Sequence, residues 1–252
     1  MKLKAWSKSW IAAGLISALA LPAAALDITA MTAEERQVFR DEVRAYLMDN
    51  PQVIIEAVNL LEDRQAEAAA VADVNLVSDN AEELFNDGFS FVGGNPDGDI
   101  TLVEFLDYRC GYCRKAHTEV AKMLESDGNI RLIVKEFPIL GEQSVLASRF
   151  AVAVKNVAGF EAYKNINDAM MTLNADVNMP TLTRLANTFG LDMAAIETAM
   201  NGPDVADEIA KTRALAQKLR ITGTPTFVLQ DELLRGYLPY DQMMQVVADK
   251  RS

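Results

Sequence analysis

The 252-residue chain has little with which to hold a metal: one histidine and two cysteines. That is too few for a conventional closed zinc site of four cysteine and histidine ligands. Positive charge is also scarce, with 24 Lys and Arg against 36 Asp and Glu and a net charge of −12. This balance argues against nucleic acid as a partner, since such binding needs a basic face. Internal repeats are missing, and the one biased tract is alanine-rich, at 66–72. What remains is a globular composition, 50% apolar and 24% charged. The length suits one large domain, or one domain with an appendage.

Long apolar runs are confined to the start. Lys2, Lys4 and Lys8 precede an uncharged stretch from Trp10 to Leu21, closed by Pro22 and then Ala23-Ala24-Ala25. A basic region, an apolar run and a small-residue site make a secretory signal peptide, with cleavage expected after Ala25. The alternative, an uncleaved anchor, needs about 20 apolar residues, and the run is shorter. Residues 1–25 hold three lysines and no acid, so the remaining chain is more acidic still. The expected product is a soluble exported protein in the periplasm, an oxidising compartment where disulfides persist.

Thr32 and Glu35 have the spacing of a capping box, and Phe39, Val43, Tyr46 and Leu47 follow at helical intervals. Asn50-Pro51 reads as an N-cap with proline at the first helical position. The next helix carries a narrow seam of Ile54, Val58 and Leu61, continued weakly by Gln65, Ala68 and Ala72. Such a seam on a polar helix suits a partner helix, so residues 26–75 are expected to be a helical oligomerisation arm, pairing through 33–72. A helix folded back on its own domain is the alternative. Residues 76–252 then form the main domain. Phe89, Phe91 and Val92 suggest a short strand, and Gly93 to Gly98 a turn. Buried strands are expected at 100–106 and 130–137, with a helix between them. The stretch of about 142–219 is helical, with Pro180 and Pro203 at helix starts and Gly190 at a helix end. A strand at 226–229, a turn at Asp231-Glu232, a return strand at 233–237 and a helix opened by Pro239 complete the chain. The class is α/β.

Both cysteines lie in Cys110-Gly111-Tyr112-Cys113, between a buried strand and a helix. The first thiol of such a motif sits at a helix N-terminus, where free N–H groups and the helix dipole favour an anion. Cys110 is thus suited to attack and leave, and Cys113 to resolve a mixed disulfide. A purely structural bridge is the weaker reading, because a four-residue loop contributes only about 2 kcal/mol of chain entropy. A third reading groups Cys110, Cys113 and His117 on one helical face as soft ligands for copper(I). Glu104 lies inside an apolar strand, where a carboxyl must be paired, neutral or reached through a channel, and burial raises its pKa. A partly exposed Glu104 at the strand end is the alternative. Lys135 in the neighbouring strand is a candidate charge partner.

With Thr222-Gly223-Thr224-Pro225-Thr226-Phe227 leading into a strand downstream of the motif, residues 90–250 resemble the DsbA-like branch of the thioredoxin superfamily. That resemblance implies a thioredoxin fold with a helical insertion. It implies a cis bond before Pro225, facing the active-site sulfur, and a Thr224 backbone that holds the substrate strand. Gly111 and Tyr112 flank the same surface. It also implies an acidic residue, here Glu104, beneath the disulfide and able to pass protons to the buried sulfur. No cofactor is implied beyond the Cys110–Cys113 disulfide, and no metal. The run from Tyr46 to Val53, continued by Leu60 to Arg64, is similar to the N-terminal region of ScsC-type proteins. Those are exported DsbA-like proteins linked to copper tolerance, some of them trimeric through this region.

Gly111-Tyr112 brings no positive charge to the Cys110 thiolate, so a milder oxidant than a Cys-Pro-His-Cys enzyme is expected. The Gly-Tyr dipeptide and the threonine before Pro225 are both similar to the periplasmic disulfide isomerase DsbC. The expected function is a periplasmic thiol–disulfide oxidoreductase with isomerase capacity. Its partners are exported proteins with cysteines, a membrane redox partner and further copies of itself. A monomeric dithiol oxidase and a copper(I)-binding thiol protein are the alternatives.

Overall fold

A computed structural model of the chain describes residues 29–252. The expected signal peptide, 1–25, lies outside the described residues. Among the described residues, no helix is long and apolar enough to cross a membrane.

The chain divides into two compact units, 1–60 and 61–252. In the first, helix α1 spans Ala33–Asp49, and its start is the capping box expected from the sequence. The Glu35 amide donates to Thr32 Oγ1 at 3.2 Å, and the Thr32 amide to Glu35 Oε2 at 2.9 Å. Asn50 differs from expectation. Its side-chain amide donates to the Tyr46 carbonyl at 2.9 Å, closing the end of α1. A helix end leaves carbonyls without partners, and the Asn50 amide satisfies one of them. Phe39, Val43 and Tyr46 of α1 are exposed.

Helix α2 runs over Gln52–Asp79, without a break at 75, where the arm was expected to end. Ile54, Val58 and Leu61 are exposed along it, whereas Val77 is buried. Near its end Arg235 grips Asp73, with Arg235 Nη2 donating to Asp73 Oδ1 at 2.9 Å. A short helix α3, Ala81–Phe85, follows.

The second unit is built on five strands: β1 Phe91–Gly94, β2 Ile100–Leu106, β3 Ile130–Glu136, β4 Thr226–Leu229 and β5 Glu232–Arg235. Their order is β1-β3-β2-β4-β5. Strands β2 and β3 are parallel, and the other pairs antiparallel. Parallel neighbours need a crossover, supplied here by α4, Gly111–Asp127. Gly93 and Gly94, expected in a turn, instead pair with Leu132 and Arg131. A Cβ at Gly94 would stand 2.4 Å from the Ile130 carbonyl oxygen, and φ there is +65°. The glycine therefore serves a close backbone approach within a strand.

The insertion comprises α5 Glu142–Met171, α6 Met179–Thr188, α7 Met193–Met200 and α8 Pro203–Lys218. Helix α5 is two helices meeting at Gly159, whose φ is +85°. The hairpin turns on Gln230-Asp231, since Leu229 pairs with Glu232. Strand β5 stops at Arg235, two residues short of the expected end. Helix α9, Tyr240–Arg251, closes the chain, with Pro239 as its N-cap.

Alternation along the strands gives the sheet two faces. Leu102, Leu106, Leu132 and Val134 belong to the core shared with α4 and α5, whereas Val103, Phe105 and Ile133 belong to the one under α8. Register puts Glu104 opposite Val134 and Phe105 opposite Lys135. Glu104 and Lys135 therefore point to opposite faces, and the expected pairing between them fails. Lys135 Nζ instead sits 2.5 Å from Asp87 Oδ2 and donates to the Glu83 carbonyl at 2.8 Å.

Candidate active site

The site forms where β2 hands over to α4. Cys110 is the N-cap of α4, with extended backbone, φ −78° and ψ 116°. Its amide donates to the Asp107 carbonyl at 3.0 Å. Its thiol lies 3.1 Å from the carbonyl oxygen of Thr224. The Thr224–Pro225 bond is cis, as the family resemblance implies. Pro225 is buried, and its carbonyl accepts from the Gly236 amide at 3.0 Å. Both cysteines are free. Cys110 keeps 8% exposure while Cys113 has none. Burial pushes the Cys113 thiol well above the usual range, and the nearby charges of Cys110 and Glu104 add to this.

Gly111 faces open space, with nothing within 4 Å of where a Cβ would stand. Tyr112 is 64% exposed, with its ring 6.3 Å from that of Tyr237. The dipeptide thus borders solvent beside the sulfur.

Glu104 is buried at 3% exposure, and its Oε1 has no hydrogen-bond partner. Burial lifts its pKa to about 7, with His117 drawing it down and Glu136 pushing it up. The partly exposed alternative is thereby excluded. His117 turns to Asp168, Nε2 to Oδ1 at 3.2 Å. Among the described residues, no three His, Cys, Asp or Glu side chains cluster as metal ligands, so the helical-face grouping of Cys110, Cys113 and His117 does not form one.

Two polar elements escaped the sequence reading. Asp107 is fully buried and ties the loop before the motif to the loop that follows β3. Its Oδ1 accepts from the Arg109 amide at 2.8 Å, and its Oδ2 from the Ile139 and Leu140 amides at 2.8 and 3.0 Å. A polar residue ending an apolar strand beside the cysteines was the available signal. The second is Glu136, whose Oε1 accepts from the hydroxyls of Tyr108 and Tyr163, both at 2.6 Å. Asn167 donates to Tyr108 Oη at 3.0 Å. Burial raises Glu136 to about 7, with the two tyrosines opposing it. Tyr163 and Asn167 lie one turn apart on α5, but nothing in the sequence links them to Tyr108 after β2 or to Glu136 in β3.

Chemically, a thiol at a helix start, a buried thiol one turn on and a buried carboxyl of raised pKa are parts that dithiol exchange can use.

Two family models match the chain. One, a DSBA-like thioredoxin domain, covers residues 101–248. The other, the copper resistance protein ScsC N-terminal domain, covers 35–68. A solved thioredoxin-like oxidoreductase from Silicibacter pomeroyi DSS-3 is 41% identical, with a TM-score of 0.63 over 68% of this chain and 96% of that one. Disulfide bond formation protein D of Bacillus subtilis is 20% identical over 166 residues, 61% of this chain and 73% of that protein. The Na(+)/H(+) antiporter NhaA 3 of Salinispora tropica is 25% identical over 150 residues, 60% of this chain; the chain spans 22% of that relative's length.

Proposed function

The chain belongs to the DSBA-like thioredoxin family of thiol–disulfide oxidoreductases, and from that premise we propose that it exchanges disulfides with exported proteins in the periplasm, with isomerase capacity. The observation that carries the proposal is the seating of the Cys110 sulfur, at the α4 N-terminus and against the Thr224 carbonyl.

In the reducing and reshuffling direction, the Cys110 thiolate attacks one sulfur of a substrate disulfide. A Cys110–substrate disulfide forms and the other substrate sulfur leaves as a thiolate. Cys113 loses its proton and attacks Cys110, expelling the substrate thiolate and closing Cys110–Cys113. The substrate gains two electrons and the protein loses two. If the freed substrate thiolate first attacks a different substrate disulfide, and the thiolate this releases attacks the Cys110–substrate disulfide, Cys110 leaves as a thiolate, no net electrons are transferred and isomerisation results. Running backward, the closed pair oxidises a substrate dithiol. In this reading Glu104 accepts the Cys113 proton: a pKa of about 7 leaves ionised carboxylate available near neutral pH, and its charge is close enough to raise that thiol. Thr224, Pro225, Gly111 and Tyr112 form the substrate-facing rim. A membrane redox partner resets the pair.

The exposed apolar residues of α1, Phe39, Val43 and Tyr46, and the ScsC-type match over 35–68 support self-association through 33–72. Several sites around a shared space favour reshuffling over simple oxidation. The decisive experiment uses Cys113→Ser with a scrambled disulfide substrate. Mixed disulfides through Cys110 should accumulate on a non-reducing gel and vanish with Cys110→Ser. Their absence from Cys113→Ser overturns the assignment of roles.

A further inference from the structure

Behind the redox centre lies a cavity of about 680 Å³ between the sheet, α4 and α5. That is within the range of small-molecule sites. Phe91, Leu132 and Val134 line it from the strands, Val120 and Leu124 from α4. Neither cysteine lines it. Glu104 does, and its Oε1 is out of reach of solvent and has no hydrogen-bond partner. A buried carboxyl without a partner is costly. A ligand that donates to it removes that cost.

The charges around the cavity define the donor. Glu104, Glu125 and Asp168 are acidic, and among the described residues Lys164 is the one lysine or arginine in the lining. Lys164 is already paired with Asp168, Nζ to Oδ2 at 2.7 Å, and His117 leans on the same carboxylate. The balance therefore favours a cation, while the walls favour an apolar body. We propose that this cavity binds a small primary amine with an apolar, ring-sized body, its ammonium on Glu104 and its ring against Phe91, Leu132 and Val134. The site is separate from the substrate-facing rim and shares only Glu104 with the thiol chemistry, so it goes beyond the proposed exchange activity.

The test is binding to the reduced full chain, followed by calorimetry and by the amide signals of Val120, Leu124 and Leu132. The probes are benzylamine, benzyl alcohol and benzoate, one cation, one neutral donor and one anion. Benzylamine is expected to saturate one site and to bind about tenfold or more tighter than benzyl alcohol, the scale of a hydrogen bond to a charged group. Benzoate is expected not to bind. Glu104→Gln should remove the preference for the amine while benzyl alcohol still binds. Ala121→Phe at the exposed rim should block both ligands and leaves Glu104 untouched. No saturable binding of benzylamine to the unmodified chain overturns the proposal, as does equal affinity for amine and alcohol. Because the readout is binding, disulfide exchange can fail or succeed independently.

Discussion

The Cys110 thiol lies 3.1 Å from the Thr224 carbonyl oxygen, 114 residues further along the chain. This contact joins the start of α4 to the loop before β4 and orients the sulfur toward the rim that Tyr112 shares. Removing the thiol while keeping its size, Cys110→Ser, is expected to reduce disulfide exchange to background. Exchange that persists in that variant, measured by insulin reduction, rules out the mechanism.

Glu104 gives stability a pH dependence. Its carboxyl is raised from 4.5 to about 7 by burial. Below pH 4.5 it is protonated in folded and unfolded chains alike. As pH rises from 4.5 to about 7 the unfolded carboxyl ionises while the folded one stays protonated, so stability falls over that range and levels off above it. The loss above pH 7 is about 3 kcal/mol for this residue. Urea midpoints of the reduced protein should therefore decline between pH 5 and 8, and decline less in Glu104→Gln. Parallel pH profiles in the two proteins contradict the assignment.

Asp107 accepts from three backbone amides with no exposure to water. Asp107→Ala removes the partner of three backbone amides, and a loss of about 1–3 kcal/mol is expected. The same change unties the loop before the motif from the one after β3, so exchange should slow even in molecules that remain folded. Unchanged urea midpoints and rates together would show that the anchor is dispensable.

The arm can be removed without disturbing the second unit if the cut respects Asp73 and Val77. Deleting residues 26–60 spares the Asp73–Arg235 pair and the buried Val77. Light scattering is expected to show an oligomer for the chain and a monomer for the deletion. Isomerase activity should fall while simple dithiol exchange continues. A monomer in both cases refutes the role of residues 33–72.

Gly94 sits where a Cβ would meet the Ile130 carbonyl at 2.4 Å and where φ is positive. Gly94→Ala is expected to cost about 2 kcal/mol or more. Thermal unfolding measures this directly, and a shift of less than a degree would show that β1 adapts.

Local chemistry made much of this legible in advance. The capping box at Thr32, the β2 bounds at Ile100 and Leu106, and Pro203 at a helix start all follow from side chains acting on their own backbone. So does the placing of Cys110 at a helix start, because a strand, a loop and a helix are adjacent in sequence. The resemblance carried by Cys110, Cys113 and Thr224-Pro225 supplied the family. Tertiary structure alone decided the rest. Which face Lys135 took depended on register with β2, and one position of offset moved it from Glu104 to Asp87. Gly94 became a strand residue because another backbone lay against it. Asn50 closed one helix where the sequence suggested it opened the next. The cavity behind Glu104 and the hydrogen bonds around Glu136 depend on side chains drawn from several elements, and only packing brings those together.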